Sequence, residues 1–429
     1  MKKGYILCLV FSLIFTCSIV NADTLATDYI KNLNEEDLFY DKTSDNNLRY
    51  IGENPNNYIS FNGENWRIIG VMNNIDDGTG KKETRLKLVR PESIGKYSWD
   101  TSLTTEGIND WTTAKLMKLL NAGFDDYKDY SYENRTTLIS LNNSLYWTRT
   151  SGKCLNMGNE HDCDFTKTGL TDSSKKLIGN SLWALGGMNN IEYNNAYTIY
   201  NEERESKVYS NHATKWIGTV ALIYPSDILF ATGDKEEYSA NVASTEESYN
   251  FKQVTGTCIN IGSENYGLIH SPSTNCFKYD WLAYDDEYWT LSPNYSNEAS
   301  VTNCSKFGLY PYSHEADSYI DIYPSVYLKS NVAITGGTGT QDNPYTIDLA
   351  SNCYYDESNS TYVWTNANQS NYKINDTISS KESCMSLNKE EEISNPQTGI
   401  KRINIIYILL TIPLFVIIMM LRKFKKFRN

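Results

Sequence analysis

Histidine, cysteine and carboxylate side chains are the groups most able to do chemistry, and in this chain their spacing matches no catalytic motif. No His-Glu-x-x-His zinc motif and no Gly-x-Ser-x-Gly nucleophile elbow occur. His161 lies between Glu160 and Asp162, a set that could hold a metal ion, although a polar loop explains it equally well. The remaining histidines are His212, His270 and His314. We therefore predict no catalytic residue, no metal and no cofactor. An enzyme stays open, because paired carboxylates cannot be located among 52 acidic residues.

The cysteines are the second reactive group. Two of the nine lie in the first 22 residues, and seven remain in the body of the chain. Outside a cell these would form disulfides. Neighbours in sequence suggest the pairs Cys154–Cys163, Cys258–Cys276 and Cys353–Cys384, which leaves Cys304 unpaired. Sequence alone does not fix the connectivity.

The N-terminus has the pattern of a secretory signal peptide. Two lysines precede an apolar run at positions 6–20, and Val20 and Ala22 are small residues at the cleavage positions. We predict that residues 1–22 are removed by cleavage between Ala22 and Asp23.

The C-terminus combines a short polar motif, an apolar run and a basic tail. The motif is Asn395, Pro396, Gln397, Thr398 and Gly399. Residues 403–421 are apolar and near the lower length limit for a transmembrane helix. Five cations follow at 422–428, and such a cluster stays on the cytoplasmic side. The preceding chain is therefore expected outside the membrane.

This three-part arrangement resembles the sorting signal of sortase substrates in Gram-positive bacteria. The resemblance implies that a sortase cleaves between Thr398 and Gly399 and joins Thr398 to peptidoglycan, so that residues 399–429 are removed. Pro396 would present the motif extended, because proline fixes φ and lacks a backbone donor. The motif begins Asn-Pro rather than the commoner Leu-Pro, which resembles the variant read by another sortase class. A plain C-terminal membrane anchor is the alternative.

The net charge of the chain limits the classes of partner that it could bind. Nine of the 39 basic residues and none of the 52 acidic residues lie outside positions 23–398, so the processed chain would carry a formal charge of −22. Like charge repels nucleic acids and anionic membranes, and we predict no nucleic-acid partner. Most of the nine tryptophans lie in apolar, strand-like runs and are predicted to belong to the core.

The sequence pattern in the body of the chain predicts short strands with a few helices. Residues 26–37 predict a short amphipathic helix, and 109–124 predict a longer helix capped by Asn109 or Asp110. A further helix is expected over 194–205. Asn62-Gly63 predicts a type I′ hairpin between two strands, and 85–90 would continue the meander. Asp76-Asp77-Gly78 and the Gly-rich segment 336–345 are interpreted as turns.

Four short segments resemble a domain of uncharacterised function on secreted Gram-positive proteins, and their ending resembles C-type-lectin-like folds. They are residues 58–68, 111–121, 289–293 and 324–328. The resemblance implies an α+β, C-type-lectin-like domain of short antiparallel strands with two or more helices. The calcium-ligating triplet of such lectins is out of register here, where Glu53-Asn54-Pro55-Asn56 is expected to form a turn.

We therefore predict six regions along the chain. They are a signal peptide (1–22), an N-terminal helix and lead-in strand (23–57), the lectin-like domain (58–348), a small disulfide-bridged β module (349–388), a linker with the sorting motif (389–398) and the sorting tail (399–429). The expected function is a wall-anchored surface protein that binds host or microbial glycans or proteins. An extracellular enzyme acting on polysaccharide and a passive coat protein are the alternatives.

Overall fold

The structure, a computed structural model, describes only part of the 429 residues. The described ranges are 25–101, 106–124, 126–131, 133–156, 158–188, 196–233, 237–244, 247–257, 280–305, 308–310, 314–350, 353–356, 361–364 and 377–378. The chain divides into two compact units, Met1–Leu349 and Ala350–Asn429.

The helices in these ranges are short. They are α1 (Ala26–Lys31), α2 (Lys115–Leu120), α3 (Asp172–Leu177), α4 (Ala196–Arg204) and α5 (Pro225–Ala231).

Strands make up most of the regular structure. In the first unit they are β1 (Leu38–Tyr40), β2 (Leu48–Tyr50), β3 (Tyr58–Phe61), β4 (Glu64–Asp76), β5 (Lys82–Val89), β6 (Lys96–Tyr97), β7 (Tyr127–Tyr130), β8 (Leu138–Leu141), β9 (Ser151–Leu155), β10 (Glu160–Asp164), β11 (Ser181–Ala184), β12 (Lys215–Gly218), β13 (Val220–Leu222), β14 (Glu237–Ser244), β15 (Glu247–Thr257), β16 (Tyr288–Pro293), β17 (Val301–Ser305), β18 (Gly308–Tyr310), β19 (Ile320–Asp321), β20 (Pro324–Tyr327), β21 (Val332–Gly336) and β22 (Thr346–Leu349). In the second unit they are β23 (Cys353–Asp356), β24 (Thr361–Trp364) and β25 (Thr377–Ile378).

A seven-stranded sheet forms the centre of the first unit. Its order is β1-β2-β4-β5-β20-β13, with β3 also paired to β4, and every pairing is antiparallel. Strands β2, β13 and β20 are buried at every position, so these strands cross the interior rather than cover one face of it. The sheet brings β5 beside β20, and thus joins distant parts of the chain.

A five-stranded sheet is the second large element. Its order is β18-β17-β16-β19-β6, with a parallel pairing between β16 and β19 and antiparallel pairings elsewhere. β16 and β17 are also buried throughout. The other sheets of the first unit are two-stranded hairpins or pairs.

Tryptophan fills much of the core, as predicted. Six of the nine tryptophans have less than 2% of their surface exposed: Trp66, Trp99, Trp111, Trp147, Trp183 and Trp289. Trp281 is 7% exposed and Trp216 is partly buried. The side chain of Trp364 lies outside the described residues. Large rings of this kind contribute heavily to core packing and are poorly placed to contact a ligand.

The predicted C-type-lectin-like α+β fold is wrong. Strands make up 40% of the structure and helices 13%, and the sheets are small and mainly antiparallel. The longest helix in the described part of the chain, α4, has 9 residues, whereas β4 has 13. The described residues therefore do not form an architecture in which long helices pack against a sheet.

The helix predicted over 109–124 is one place where the sequence pattern predicts more helix than the structure contains. Only Lys115–Leu120 is helical. The carboxylate of Asp110 accepts hydrogen bonds from the Thr112 backbone (3.0 Å) and hydroxyl (2.6 Å), which closes a local turn instead of capping a helix. The apolar residues at 145–147 also lie outside the strands, and the segment that follows makes an isolated bridge from Thr148 to Leu170.

Predictions with strong local chemistry are confirmed. Asn62 and Gly63 have φ angles of 59° and 74° and join β3 to β4, as a type I′ turn requires. Helix α1 forms at the start of the predicted span 26–37 and buries Ile30, but it ends at Lys31; α4 forms where the further helix is expected. Asp76 accepts the backbone N–H of Gly78 at 2.8 Å, so the acidic segment there is a turn.

The second unit contains a three-stranded antiparallel sheet in the order β23-β24-β25. The middle strand, β24, contains the segment Tyr362-Val363-Trp364.

Candidate functional site

A groove of about 470 Å³ opens beside the β3–β4 hairpin. The residues that line it are Ser60, Phe61, Asn62, Gly63, Arg149, Thr171, Ser173, Ser174, Lys176, Leu177, Ile347, Asp348 and Leu349. They come from the hairpin, the loop that follows Trp147, helix α3 and strand β22, so the folded first unit brings together four distant segments.

Asn62 fixes the relation between the hairpin and the segment leading into α3. Its amide nitrogen donates to the carbonyl of Gly169 at 3.0 Å, and its amide oxygen accepts the backbone N–H of Thr171 at 2.8 Å. Asparagine also tolerates the positive φ that the turn needs. One side chain therefore shapes the turn and holds the neighbouring wall.

Arg149 is oriented by the same hairpin. Its Nε donates to the carbonyl of Gly169 at 3.2 Å, and its Nη2 donates to the carbonyl of Asn62. A Cβ added to Gly63 would lie only 3.1 Å from that Nη2. Glycine at position 63 thus permits both the turn and the close approach of the guanidinium.

Packed aromatic rings support the hairpin below the groove. Phe61 meets Trp66 edge to face with ring centroids 4.9 Å apart, and Trp66 stacks on Trp147 at 6.3 Å. All three rings are buried, with exposures of 0–1%. Strand β22 is held on the other side, where the Ser60 N–H donates to the carbonyl of Tyr345 at 2.8 Å. The groove is therefore built on a rigid base.

The groove presents two cations to solvent. Arg149 and Lys176 are exposed, and within the described ranges neither forms an ion pair with a carboxylate. Lys175, by contrast, is paired with Asp172 at 3.2 Å. The chain as a whole carries a formal charge of −13, so this local cationic pair is opposite in sign to the molecule around it.

The chemistry the groove offers is binding through charge, hydroxyl groups and a small apolar surface. Arginine donates hydrogen bonds in a fixed fork that matches a carboxylate. Asp348 is the one carboxylate among the described residues that line it, so the pair of acids used in glycoside hydrolysis is not supplied by these residues.

The structure places some of the predicted site residues. Cys154 and Cys163 form the expected disulfide, with a Cα–Cα distance of 5.9 Å, across the β9–β10 hairpin. Cys304 is a free, buried thiol, and burial raises its pKa. Cys353 begins β23. The residues that lie outside the described ranges are Ala22, Asp23, Cys258, Cys276, Cys384, Asn395, Pro396, Gln397, Thr398 and Gly399.

The metal site considered around His161 is not formed. Glu160, His161 and Asp162 are successive residues of β10, so the histidine points away from its two acidic neighbours. Both carboxylates instead contact Lys153, at 3.5 and 2.6 Å. In the part of the chain that the structure describes, no group of three or more His, Cys, Asp or Glu side chains could hold a metal ion.

The segment Glu53-Asn54-Pro55-Asn56 is a turn that hydrogen bonds from Arg67 stabilise. Nη2 of Arg67 donates to the carbonyl of Pro55 at 3.3 Å, and the Asn54 side chain accepts the Tyr58 hydroxyl at 3.2 Å. The carbonyl oxygen of Pro55 and the side-chain oxygen of Asn54 therefore already accept hydrogen bonds from the protein itself.

Sequence patterns do not reveal the groove itself. Its cations come from positions 149 and 176 and meet a turn at 62–63, and no local pattern links them. The Asn-Gly pair is the one available signal, and it indicates a turn without a function.

No helix among the described residues is long and apolar enough to span a bilayer, and the apolar run 403–421 is not among them. No protein-family model, no curated protein and no solved structure matches the chain.

Proposed function

We propose that this chain is a secreted, wall-anchored surface protein whose first unit binds an acidic ligand, either a glycan or a protein segment, in the groove beside the β3–β4 hairpin. Anchoring would proceed by sortase cleavage after Thr398 and attachment of that residue to peptidoglycan. The sequence of both chain ends supports the location, and the groove supports the binding role.

The observation that carries the binding role is the pair of exposed cations in a molecule of opposite charge. Hydrogen bonds to backbone carbonyls hold Arg149 in place, and among the described residues neither Arg149 nor Lys176 forms an ion pair with a carboxylate, although Asp348 lines the same groove. A preorganised cation loses little conformational freedom when a ligand carboxylate arrives. Hydroxyl groups of Ser60, Thr171 and Ser173 line the same groove and suit a polar, hydroxylated partner.

The size of the ligand follows from the charge distribution. Surface charges more than about 8 Å apart are largely screened at physiological ionic strength. A short acidic segment would therefore interact mainly with the groove cations, whereas a long polyanion would extend beyond them over a protein of net negative charge. We expect a single acidic sugar or a short acidic peptide stretch to be the contacted unit.

The test is binding of the processed form, residues 23–398, to an array of glycans and extracellular-matrix proteins. A variant with Arg149→Gln and Lys176→Gln would remove both groove cations. Because a hydrogen bond to a charged group contributes roughly 1.5–3 kcal/mol, we expect binding of acidic ligands to weaken more than about tenfold.

The matched control carries Lys82→Gln and Lys215→Gln, two exposed lysines on β5 and β12 that do not line the groove. It makes the same change in net charge, so it should bind like the unmodified protein. Equal loss in both variants would show that binding follows overall charge and would reject the groove. Turnover of a polysaccharide without stable binding would favour the enzyme alternative.

A further inference from the structure

A chain of buried charges crosses the core of the first unit. Arg49 on β2 contacts Asp41 and Asp227, both at 2.8 Å, and Lys87 on β5 contacts Asp227 at 2.5 Å. None of the four side chains is more than 2% exposed. Asp227 lies in the first turn of α5, so this chain ties the helix to the central sheet.

Aromatic rings enclose the lysine end of the chain. Nζ of Lys87 is 4.2 Å from the ring centre of Tyr224, 5.2 Å from Trp183 and 5.4 Å from Tyr327. All three rings are buried. Water is thereby kept from an amine that touches a carboxyl group.

We propose that Lys87 and Asp227 condense to an intramolecular amide bond, which covalently links β5 to α5. Nζ contacts Oδ2 of Asp227, and the carboxyl carbon is one covalent bond beyond that oxygen. Two reacting groups held in this way have an effective concentration far above any attainable in solution, which favours a step that would not proceed between free molecules.

The reaction balances without a co-reactant. The Nζ–Cγ bond forms and the Cγ–Oδ2 bond breaks. Two hydrogens of the ammonium group leave with Oδ2 as one water molecule, and no group is oxidised or reduced. The retained Oδ1 accepts a hydrogen bond from Nη1 of Arg49 at 2.8 Å, so a cation already faces the oxygen on which negative charge develops.

The protonation states define the starting point. Burial lowers the pKa of Lys87 to about 8, against the pull of Asp227, and this reduces the cost of forming the free amine. Burial raises the pKa of Asp227, but the two neighbouring cations bring it down to about 2. The pair therefore starts as ammonium and carboxylate, and a proton must pass along the Nζ–Oδ2 contact before attack.

Condensation also removes two charges from the core, and its cost is that the backbone N–H of Tyr224, which donates to Oδ2 at 2.9 Å, loses this acceptor. Buried ions carry a large desolvation penalty even when they are paired. The four charges of Asp41, Arg49, Asp227 and Lys87 sum to zero. Loss of the last two leaves Arg49 with Asp41, still at zero.

Peptide mapping of the full chain tests the proposal. Trypsin cannot cleave after an acylated lysine, so the amide would appear as a branched peptide joining 86–96 to 216–235, lighter than the sum of the two by one water. In an Asp227→Asn variant the same branched peptide should form with loss of ammonia instead.

The matched negative control is Lys87→Arg, which keeps the charge but offers no nucleophilic amine, so it should give no branched peptide. Detection of a free 88–96 peptide together with an unmodified 216–235 peptide from all of the unaltered protein would overturn the proposal and show an ion pair only. The map of the unaltered protein alone distinguishes the amide from the ion pair, whether or not the variants fold.

Discussion

At the scale of single residues, Asn62 shows how one side chain can serve both backbone and packing. It adopts a φ of 59° and bonds to both Gly169 and Thr171. In Asn62→Ala we expect a loss of about 2–4 kcal/mol, because alanine is strained at positive φ and the amide bonds are lost. Asn62→Gly keeps the turn and loses only the bonds, so about 1–2 kcal/mol is expected. Urea unfolding of both variants measures this, and an alanine variant as stable as the glycine variant would contradict the role of φ.

A second residue-scale prediction concerns Asp280, which is 5% exposed. It accepts hydrogen bonds from the Leu282 backbone at 2.9 Å and the Thr232 hydroxyl at 3.0 Å. Burial raises its pKa from 3.8 to about 7. The folded state then holds a proton that the unfolded state releases, so the stability is fully present below about pH 4 and is lost as the pH rises through about 7. At about 1.4 kcal/mol for each pKa unit, we expect this one group to lower the free energy of unfolding by on the order of 3 kcal/mol between about pH 5 and about pH 8.

Asp280→Asn isolates that contribution, because asparagine stays neutral at every pH in this range. Urea unfolding at about pH 5 and about pH 8 should show a smaller decline for the variant than for the unmodified protein. Burial also raises the pKa of Asp100 and Glu203 to about 7. Because the variant and the unmodified protein both contain these two groups, their effect on stability cancels when the two declines are compared. Parallel declines in the two proteins would show that Asp280 stays ionised in the fold.

At the scale of elements, helix α4 caps helix α5. Glu203 accepts the backbone N–H of Ser226 at 2.8 Å and its hydroxyl at 2.5 Å, which satisfies a donor in the first turn of α5. Both residues are fully buried. A double-mutant cycle with Glu203→Ala and Ser226→Ala should give a coupling of about 1–2 kcal/mol in unfolding free energy.

The exposed pair Asp172 and Lys175 on α3 is the control for that cycle. Its carboxylate and amine lie 3.2 Å apart, yet one partner is 95% exposed. Exposed pairs contribute about 0–1 kcal/mol, and we expect a coupling below about 0.5 kcal/mol. Equal couplings in the two cycles would mean that burial of the Glu203 contact adds nothing.

The whole molecule shows which features are predictable from the sequence. The Asn62-Gly63 hairpin is predictable, because two residues with positive φ determine a type I′ turn locally. The buried tryptophans are predictable from their apolar runs. The fold class is not, because it depends on pairings such as β5 with β20, whose partners are more than 200 residues apart, for example Leu88 and Val326.

The groove is unpredictable for the same reason. Asn62, Arg149 and Lys176 lie in separate segments, and only the packing of the hairpin against α3 brings them to one place. Local turn chemistry at Asp110 also outweighs the apolar stripe that favours a long helix there.

The proposed wall anchoring concerns the whole molecule and gives a prediction for Thr398. Thr398→Ala should block transfer to peptidoglycan, so the protein should be extracted from cells by detergent alone. The unmodified protein should require a muramidase for release. Thr377→Ala, a change at an exposed threonine of β25, is the control and should leave anchoring unchanged. Detergent resistance of the Thr398 variant would contradict the proposed attachment.

The most direct measurement is mass spectrometry of the C-terminal peptides of the protein taken from intact cells. We expect a peptide that ends at Thr398 and carries a peptidoglycan fragment on its carboxyl group. Recovery of uncleaved peptides that continue through Gly399 into residues 400–429 from the mature surface protein would contradict wall anchoring.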